Sequence, residues 1–209
     1  MLAQPSVQTS LSNVENFVSL DQNGKIYELY YYSDQNAVVL IVQGNGCPIV
    51  RKSVEYIRQL KDEFGPQGVV FLMINSNLQD DRDSISKEAE DFGIDIPVLE
   101  DQSQVIANEL GLKRTAEAIL IDPQNWQVVY RGAINDQLGY EVSREKVKHH
   151  YLKDAIESLI GNKPIALPRT EVQGCLINMK NFSKKVTYTD NVAPLLIKSC
   201  VPCHQEGGV

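Results

Sequence analysis

The chain has 209 residues, of which 43% are hydrophobic and 22% are charged, and its formal net charge is −7 at pH 7. This is ordinary globular composition, long enough for one well-buried domain with extensions. A negative chain without a basic stripe argues against nucleic acid as a partner. The longest apolar run, residues 37–42, is too short to cross a bilayer, so no membrane span is expected.

The first half of the chain predicts strands followed by a long helix. NVENFVSL and KIYELYYY flank the turn at Asn23-Gly24, which is a strong hairpin signal. NAVVLIV and VVFLMIN are continuous apolar runs, typical of strands that are covered on both faces. Between them, apolar residues recur at helical spacing from Cys47 to Phe64, and Pro48 suits a first helical turn. We therefore expect a strand, an amphipathic helix beginning near Cys47, and a second strand.

The second half predicts two further helices, in SISKEAEDFGI and QVIANELGL, and then the strands EAILID and WQVVYRGAI around an Asp122-Pro123 turn. A last helix, REKVKHHYLKDAIESLIG, is expected to end at Gly161. Its adjacent His149 and His150 would point about 100° apart, which favours a solvated surface over a metal site. The order β-β-β-α-β-α-α-β-β-α predicts an α/β fold with a mixed sheet. The expected divisions are a domain at 12–162, an extended arm at 163–189 and a further segment at 190–209.

Four cysteines occur, at positions 47, 175, 200 and 203, too few for a disulfide-built scaffold. Cys200-Val-Pro-Cys203-His204 has the spacing for covalent attachment of c-type haem, with two thiols for the vinyl groups and His204 for the iron. A zinc site would need a second pair, and only Cys47 and Cys175 remain. No second axial ligand and no covering helices follow His204. We therefore expect no cofactor in this stretch and haem c in a longer protein.

Several motifs resemble a known family. VVLIVQGNGCPIVRKSVEYIRQLKDEF, with EAILID and VVYRGAIND downstream, resembles the thioredoxin-like redoxins of the peroxiredoxin-like group. The matching motifs are Asn45-Gly46-Cys47-Pro48 and Tyr130-Arg131-Gly132. VQGCLI followed by VTYTDNVAPLLIKSCVPCH resembles the linker by which some bacterial extracytoplasmic members are fused to a cytochrome c module. The resemblance covers residues 14–209. It implies a thioredoxin-like fold followed by the start of a cytochrome domain, and a periplasmic or secreted location.

Cys47 is the candidate nucleophile, because backbone N–H groups at a helix N-terminus lower a thiol pKa. Arg51, four residues on, could add positive charge. The alternative is an inert buried cysteine. The chain lacks a C-x-x-C pair, and Gly44 stands where thiol peroxidases carry threonine or serine. Thr115-Ala116-Glu117 stands where thioredoxin-like folds place a threonine before a cis-proline. A cis bond before Ala116 would cost about 2.5–4 kcal/mol, so we expect a trans, reshaped loop beside Thr115.

Cys175 lies in the arm, which is long enough to fold back toward Cys47. A disulfide between them would join a nucleophile to a resolving thiol, if their Cα atoms come within about 7 Å. The expected function is a thiol-dependent oxidoreductase that acts on a disulfide, a peroxide or a redox partner protein, in a protein linked to c-type cytochrome electron transfer. The alternative is a degenerate redoxin that binds or positions a cytochrome or partner enzyme.

Overall fold

A computed structural model describes residues 13–138, 144, 146–180 and 188–201. Contacts divide the chain into two compact units, Met1–Met179 and Lys180–Val209. The strands are β1 (Val18–Leu20), β2 (Ile26–Glu28), β3 (Ala37–Gln43), β4 (Val69–Asn75), β5 (Val98–Glu100), β6 (Glu117–Asp122) and β7 (Gln127–Ala133). The α-helices are α1 (Pro48–Phe64), α2 (Arg82–Asp91), α3 (Val105–Leu110), α4 (Tyr151–Ile160) and α5 (Ala193–Ser199).

Five strands form the central sheet in the order β5-β4-β3-β6-β7. β3 pairs in parallel with β4 and antiparallel with β6, and β4 pairs in parallel with β5. All seven residues of β3 are buried, as its uninterrupted apolar run predicts for a central strand. β1 and β2 form a separate antiparallel hairpin. The predicted mixed α/β, thioredoxin-like fold with its N-terminal hairpin is therefore confirmed.

Side-chain alternation along the strands creates an apolar layer on each face of the sheet. On one face, Val39 and Ile41 of β3 pack with residues of α1, α2 and α4, such as Ile57. On the other face, Val38 and Leu40 pack with α3 and with residues that precede the sheet. The carboxyl end of β3 leads directly into α1. The sheet therefore holds the start of α1, and with it Cys47, at one edge of the first unit.

Three features differ from the predicted elements. The strand predicted over KIYELYYY ends at Glu28, and a 3₁₀-helix, Leu29–Tyr32, follows it. VLED predicts only a short strand end, which the predicted order leaves out, and there the structure has the edge strand β5, which pairs with β4 from Met73↔Val98 onward. The last predicted helix of the domain begins only at Tyr151, so His149 and His150 precede it. The prediction of a helix through both histidines was wrong, because the carboxylate of Asp136 accepts the N–H groups of Lys148 and His149 and holds that segment in another conformation.

The arm after α4 follows the surface of the first unit. Arg169 forms a parallel bridge with Arg131 of β7, and Leu176 forms an antiparallel bridge with Arg114. Ile177 is buried in the second apolar layer. The segment is therefore held to β7 and to the loop before β6.

The second unit contains a π-helical turn at Tyr188–Val192 and then α5, which ends just before Cys200. No helix among the described residues is both long and apolar enough to span a membrane.

Candidate redox site

Cys47 lies at the junction between β3 and α1. It is the N-cap residue of α1, its carbonyl accepts the N–H of Arg51 at 3.0 Å, and its own N–H donates to the carbonyl of Gly44 at 3.2 Å. The side chain is 2% exposed and packs with Val50 and Ala116. The sequence thus placed Cys47 correctly at a helix N-terminus, and the structure adds that its thiol is almost completely covered.

The arm brings Cys175 to this thiol. The N–H of Thr115 donates to the carbonyl of Cys175 at 2.9 Å, and the N–H of Ile177 donates to the carbonyl of Lys113 at 3.0 Å. These two bonds form a short antiparallel ladder between the arm and the loop before β6. The ladder places Sγ of Cys175 3.4 Å from Sγ of Cys47. A disulfide bond is about 2 Å long, so a movement of little more than about 1 Å would join the two sulfur atoms.

Thr115 connects the two cysteines. Its hydroxyl donates to Sγ of Cys47 at 3.0 Å and accepts the N–H of Cys175 at 2.9 Å. Burial by itself raises the pKa of the Cys47 thiol, but hydrogen bonds from Thr115, from the backbone of Val50 and from Cys175 outweigh it. The pKa of Cys47 is therefore lowered from its ordinary value, and the thiolate is the favoured form over a wider pH range.

Two glycines make this contact possible. A Cβ atom on Gly174 would lie 1.6 Å from the carbonyl oxygen of Thr115, so no larger residue fits while the arm is in place. A Cβ atom on Gly44 would lie 2.6 Å from the methyl group of Thr115 and 2.5 Å from the side-chain nitrogen of Asn77. The sequence analysis noted Gly44, but it could not show that either glycine is required by the position of Thr115.

The loop at Thr115-Ala116 has the predicted trans geometry, since no cis peptide bond occurs in the described parts of the chain. Ala116 adopts a positive φ of 58°, which is uncommon for a residue with a side chain. Its N–H donates to the carbonyl of Val42 at 2.7 Å. This bond ties the reshaped loop to the end of β3, directly before the turn that carries Cys47.

The charged group of Arg51 is held by Glu88 of α2. Its guanidinium donates two hydrogen bonds of 2.7 Å to the carboxylate of Glu88 and lies over the ring of Phe92. Glu88 also accepts the N–H of Gly46 at 3.1 Å. The pair therefore anchors the turn before Cys47 to α2. The sequence analysis did not identify Glu88, because nothing in its local pattern shows that α2 lies against the start of α1.

A buried polar cluster holds the same turn from the other side. The carboxylate of Asp80, which is 5% exposed, accepts the N–H of Asn45 at 3.0 Å and side-chain N–H groups of Asn75 and Asn77. The cluster ends β4 and continues into the loop before α2. The sequence analysis did not identify this cluster. The next residue, Asp81, caps α2, and its side chain accepts the N–H of Ser84.

The Tyr130-Arg131-Gly132 motif fixes the arm at a second place. The hydroxyl of Thr170 contacts that of Tyr130 at 2.7 Å and accepts the N–H of Ala133 at 2.9 Å. A Cβ atom on Gly132 would lie 2.1 Å from that hydroxyl oxygen. The N–H of Arg131 also donates to the carbonyl of Pro168. The motif thus holds the arm at Thr170, five residues before Cys175.

Of the three functional residues of the haem-type motif, only Cys200 lies within the described residues, where its side chain is exposed at the end of α5. Cys203 and His204 lie outside them. His150 contacts the hydroxyl of Tyr56 at 2.6 Å. The described ranges contain no group of three metal-binding side chains.

The comparisons with known proteins agree with this fold. A family model described as Redoxin matches residues 6–146, which is more than half of the chain. The chain belongs to the redoxin family. This redoxin is 24% identical over 139 residues to the thiol-disulfide oxidoreductase ResA of Geobacillus thermodenitrificans, a match that covers 66% of this chain and 74% of ResA.

Two solved structures resemble this redoxin over most of its length. A hypothetical protein from Sinorhizobium meliloti has a TM-score of 0.74 at 24% identity, covering 82% of this chain and 95% of the other. An uncharacterized conserved protein from Geobacillus kaustophilus has a TM-score of 0.75 at 23% identity, covering 87% and 100%. At these identities, the similarity shows the shared fold.

Replacing Thr115 by valine should raise the pKa of Cys47, because the mutation removes a hydrogen-bond donor to sulfur and leaves burial unchanged. The pH profile of alkylation of reduced Cys47 should then move to higher pH. The loss of two buried hydrogen bonds should also destabilise the protein by about 1–3 kcal/mol. The measurement is alkylation by iodoacetamide against pH, read on the tryptic peptide 26–51.

The lowered pKa of Cys47 also makes the stability of the fold depend on pH. A thiol whose folded-state pKa is lowered stabilises the fold above its unfolded-state pKa, and this contribution disappears as the pH falls through the folded-state value. The variant should lose part of that gain at alkaline pH. Ser53→Ala is the control, because its buried hydroxyl donates to the carbonyl of Ile49 within α1. Equal alkylation profiles for wild type and Thr115→Val would contradict the assigned role.

Proposed function

We propose that this redoxin is a thiol–disulfide oxidoreductase in which Cys47 and Cys175 form the redox couple. The observation that carries the proposal is the 3.4 Å separation of their sulfur atoms, set by the arm and by Thr115. The named activity of ResA supports the same class of reaction. The Redoxin match covers the domain that bears Cys47, and Cys175 lies beyond the matched residues.

The chemistry of the couple is a two-electron exchange. In the reduced form both residues are thiols. When a partner disulfide oxidises them, the partner takes up two electrons and two protons and becomes two thiols, while a Cys47–Cys175 bond forms. In the reverse direction, a partner dithiol is oxidised and the bond is broken. Thr115 and the N-terminus of α1 stabilise Cys47 as the thiolate that takes part in either direction.

The proposal includes an extracytoplasmic location and a link to a c-type cytochrome, both supported by the motif at positions 200–204. Cys200 and Cys203 would attach the haem, and His204 would bind its iron. The exposed side chain of Cys200 is accessible for such a bond. When bound, the haem supplies a one-electron carrier. The two-electron couple at Cys47 and Cys175 is complete without it.

The second candidate is the binding or positioning module considered from the sequence. The 2% exposure of Cys47 favours it, since a covered thiol is a poor nucleophile toward external substrates. The two candidates differ in one respect that can be measured. An oxidoreductase must interconvert its dithiol and disulfide forms at the potentials of biological thiols, whereas a binding module need not.

The test is equilibration of the purified protein in glutathione redox buffers, followed by alkylation, mass measurement and tryptic mapping. We expect the reduced protein to lose two hydrogens and to yield the linked peptides 26–51 and 170–180. Cys175→Ser is the control, and it should form no such link. Alkylation of both Cys47 and Cys175 at every buffer composition would contradict the proposal and favour the binding module. Repeating the oxidation with hydrogen peroxide tests the predicted peroxide substrate.

A further inference from the structure

The two cysteines of the site differ in exposure to solvent. Cys47 is 2% exposed and lies among Ile49, Val50 and Ala116, with the arm above it. Cys175 is partly exposed, and its neighbour Leu176 is 70% exposed. The arm therefore covers one cysteine of the couple and leaves the other partly open to solvent.

The backbone next to Cys175 also has one side that is not paired with the loop. Arg114 and Leu176 form the non-hydrogen-bonded pair of the antiparallel ladder, because the bonds on either side of them run from Thr115 to Cys175 and from Ile177 to Lys113. In such a pair, the N–H and C=O groups point away from the partner strand. The backbone of Leu176 thus faces away from the loop, directly beside Cys175.

Access decides which sulfur of a disulfide reacts. Exchange proceeds by attack of a thiolate on one sulfur atom while the other leaves, so the attacking group must reach its target. At Cys47, the approach is blocked by apolar side chains and by the arm. Cys175 is only partly buried, and it is therefore the more accessible of the two cysteines. The sulfur of Cys47 can leave as a thiolate, because the Thr115 hydroxyl donates a hydrogen bond to it at 3.0 Å and stabilises its negative charge.

We infer that Cys175, rather than Cys47, is the sulfur that exchanges with the partner, and that the partner of the disulfide form is a dithiol. This inference rests on the proposed function. It differs from the order expected from the sequence, in which Cys47 attacks and Cys175 resolves. Cys175, in the arm, then forms the mixed disulfide with the partner. Cys47, in the domain, is released as a thiolate.

The exchange takes place in two steps. A partner thiolate attacks Sγ of Cys175, a partner–Cys175 disulfide forms, and the Cys47–Cys175 bond breaks with its electron pair on Cys47. The second thiolate of the partner attacks the partner's own bonded sulfur and releases Cys175 as a thiolate, which takes a proton from water. The partner dithiol is oxidised by two electrons, and the protein disulfide is reduced by two.

The test uses the wild-type protein in its disulfide form and glutathione as the attacking thiol. After a short reaction, acid stops the exchange, and excess N-ethylmaleimide in denaturant then caps every thiol. Trypsin separates the cysteines into peptides 26–51, 170–180 and 199–209. We expect glutathione on 170–180 and maleimide on 26–51. Glutathione on 26–51 with maleimide on 170–180 would overturn the inference but leave the proposed function in place.

A second measurement compares two single-residue variants, with peptide mapping as the readout. With oxidised glutathione, Cys175 in Cys47→Ser should form its mixed disulfide at least about tenfold faster than Cys47 in Cys175→Ser. Equal rates, or a faster Cys47, would overturn the inference. If neither peptide of the wild-type protein acquires glutathione or maleimide, the proposed function fails, and the inference fails with it.

Discussion

Replacing Gly174 by alanine is expected to separate the two cysteines. The added Cβ atom would lie 1.6 Å from the carbonyl oxygen and 2.4 Å from the carbonyl carbon of Thr115, and both are backbone atoms held beside β6. The arm must therefore move away from the loop. This movement breaks the hydrogen bond from the N–H of Thr115 to the carbonyl of Cys175. It also takes Sγ of Cys175 away from Sγ of Cys47.

The expected result for Gly174→Ala is an equilibrium constant for disulfide formation lowered by about tenfold or more, since about 1.4 kcal/mol of strain is sufficient for that change. It is measured by titration in glutathione redox buffers with mapping of peptides 26–51 and 170–180. Cys47 should also react faster with maleimide, because the arm no longer covers it.

The matched control is Gly65→Ala. Gly65 has an ordinary helical φ of −55°, and no described residue beyond its own stretch of chain lies within 4 Å of its added Cβ atom. This variant should form the disulfide as the wild type does. A normal disulfide yield and a still-protected Cys47 in Gly174→Ala would show that the arm is not held against Thr115.

Oxidation is expected to stabilise the protein against unfolding by about 2–4 kcal/mol. The Cys47–Cys175 bond would join residues 128 positions apart, and a covalent link over such a separation removes much of the conformational freedom of the unfolded chain. The native state should need little adjustment, since the sulfur atoms already lie 3.4 Å apart. The gain therefore comes mainly from the unfolded state.

The measurement is urea unfolding of the disulfide and dithiol forms under otherwise identical conditions. The free energy of unfolding should be higher for the disulfide form, and its denaturant slope should be lower, because the linked unfolded chain exposes less surface. Cys175→Ser is the control, and its oxidised and reduced preparations should unfold alike. Equal free energies for the two wild-type forms would contradict the prediction.

Local patterns were sufficient for most of the fold. The apolar runs of β3 and β4, the helical spacing after Cys47 and the hairpin turn at Asn23-Gly24 each describe one element, and each was predicted from neighbouring residues. The start of α4 was mispredicted. There, the carboxylate of Asp136 accepts the N–H groups of Lys148 and His149, and these two bonds override a sequence pattern that favours a helix.

Sequence alone determined that Cys47 begins a helix, because Pro48 and the apolar spacing after it are local signals. It also singled out Cys175 and Thr115 without showing that they meet. Only the tertiary structure decided that, since the contact depends on pairing between an arm and a loop 60 residues apart and on Gly174 passing against Thr115. The tertiary structure also decided which of the two cysteines is exposed, because the exposure of each depends on how the arm folds over the domain, and no local pattern encodes that.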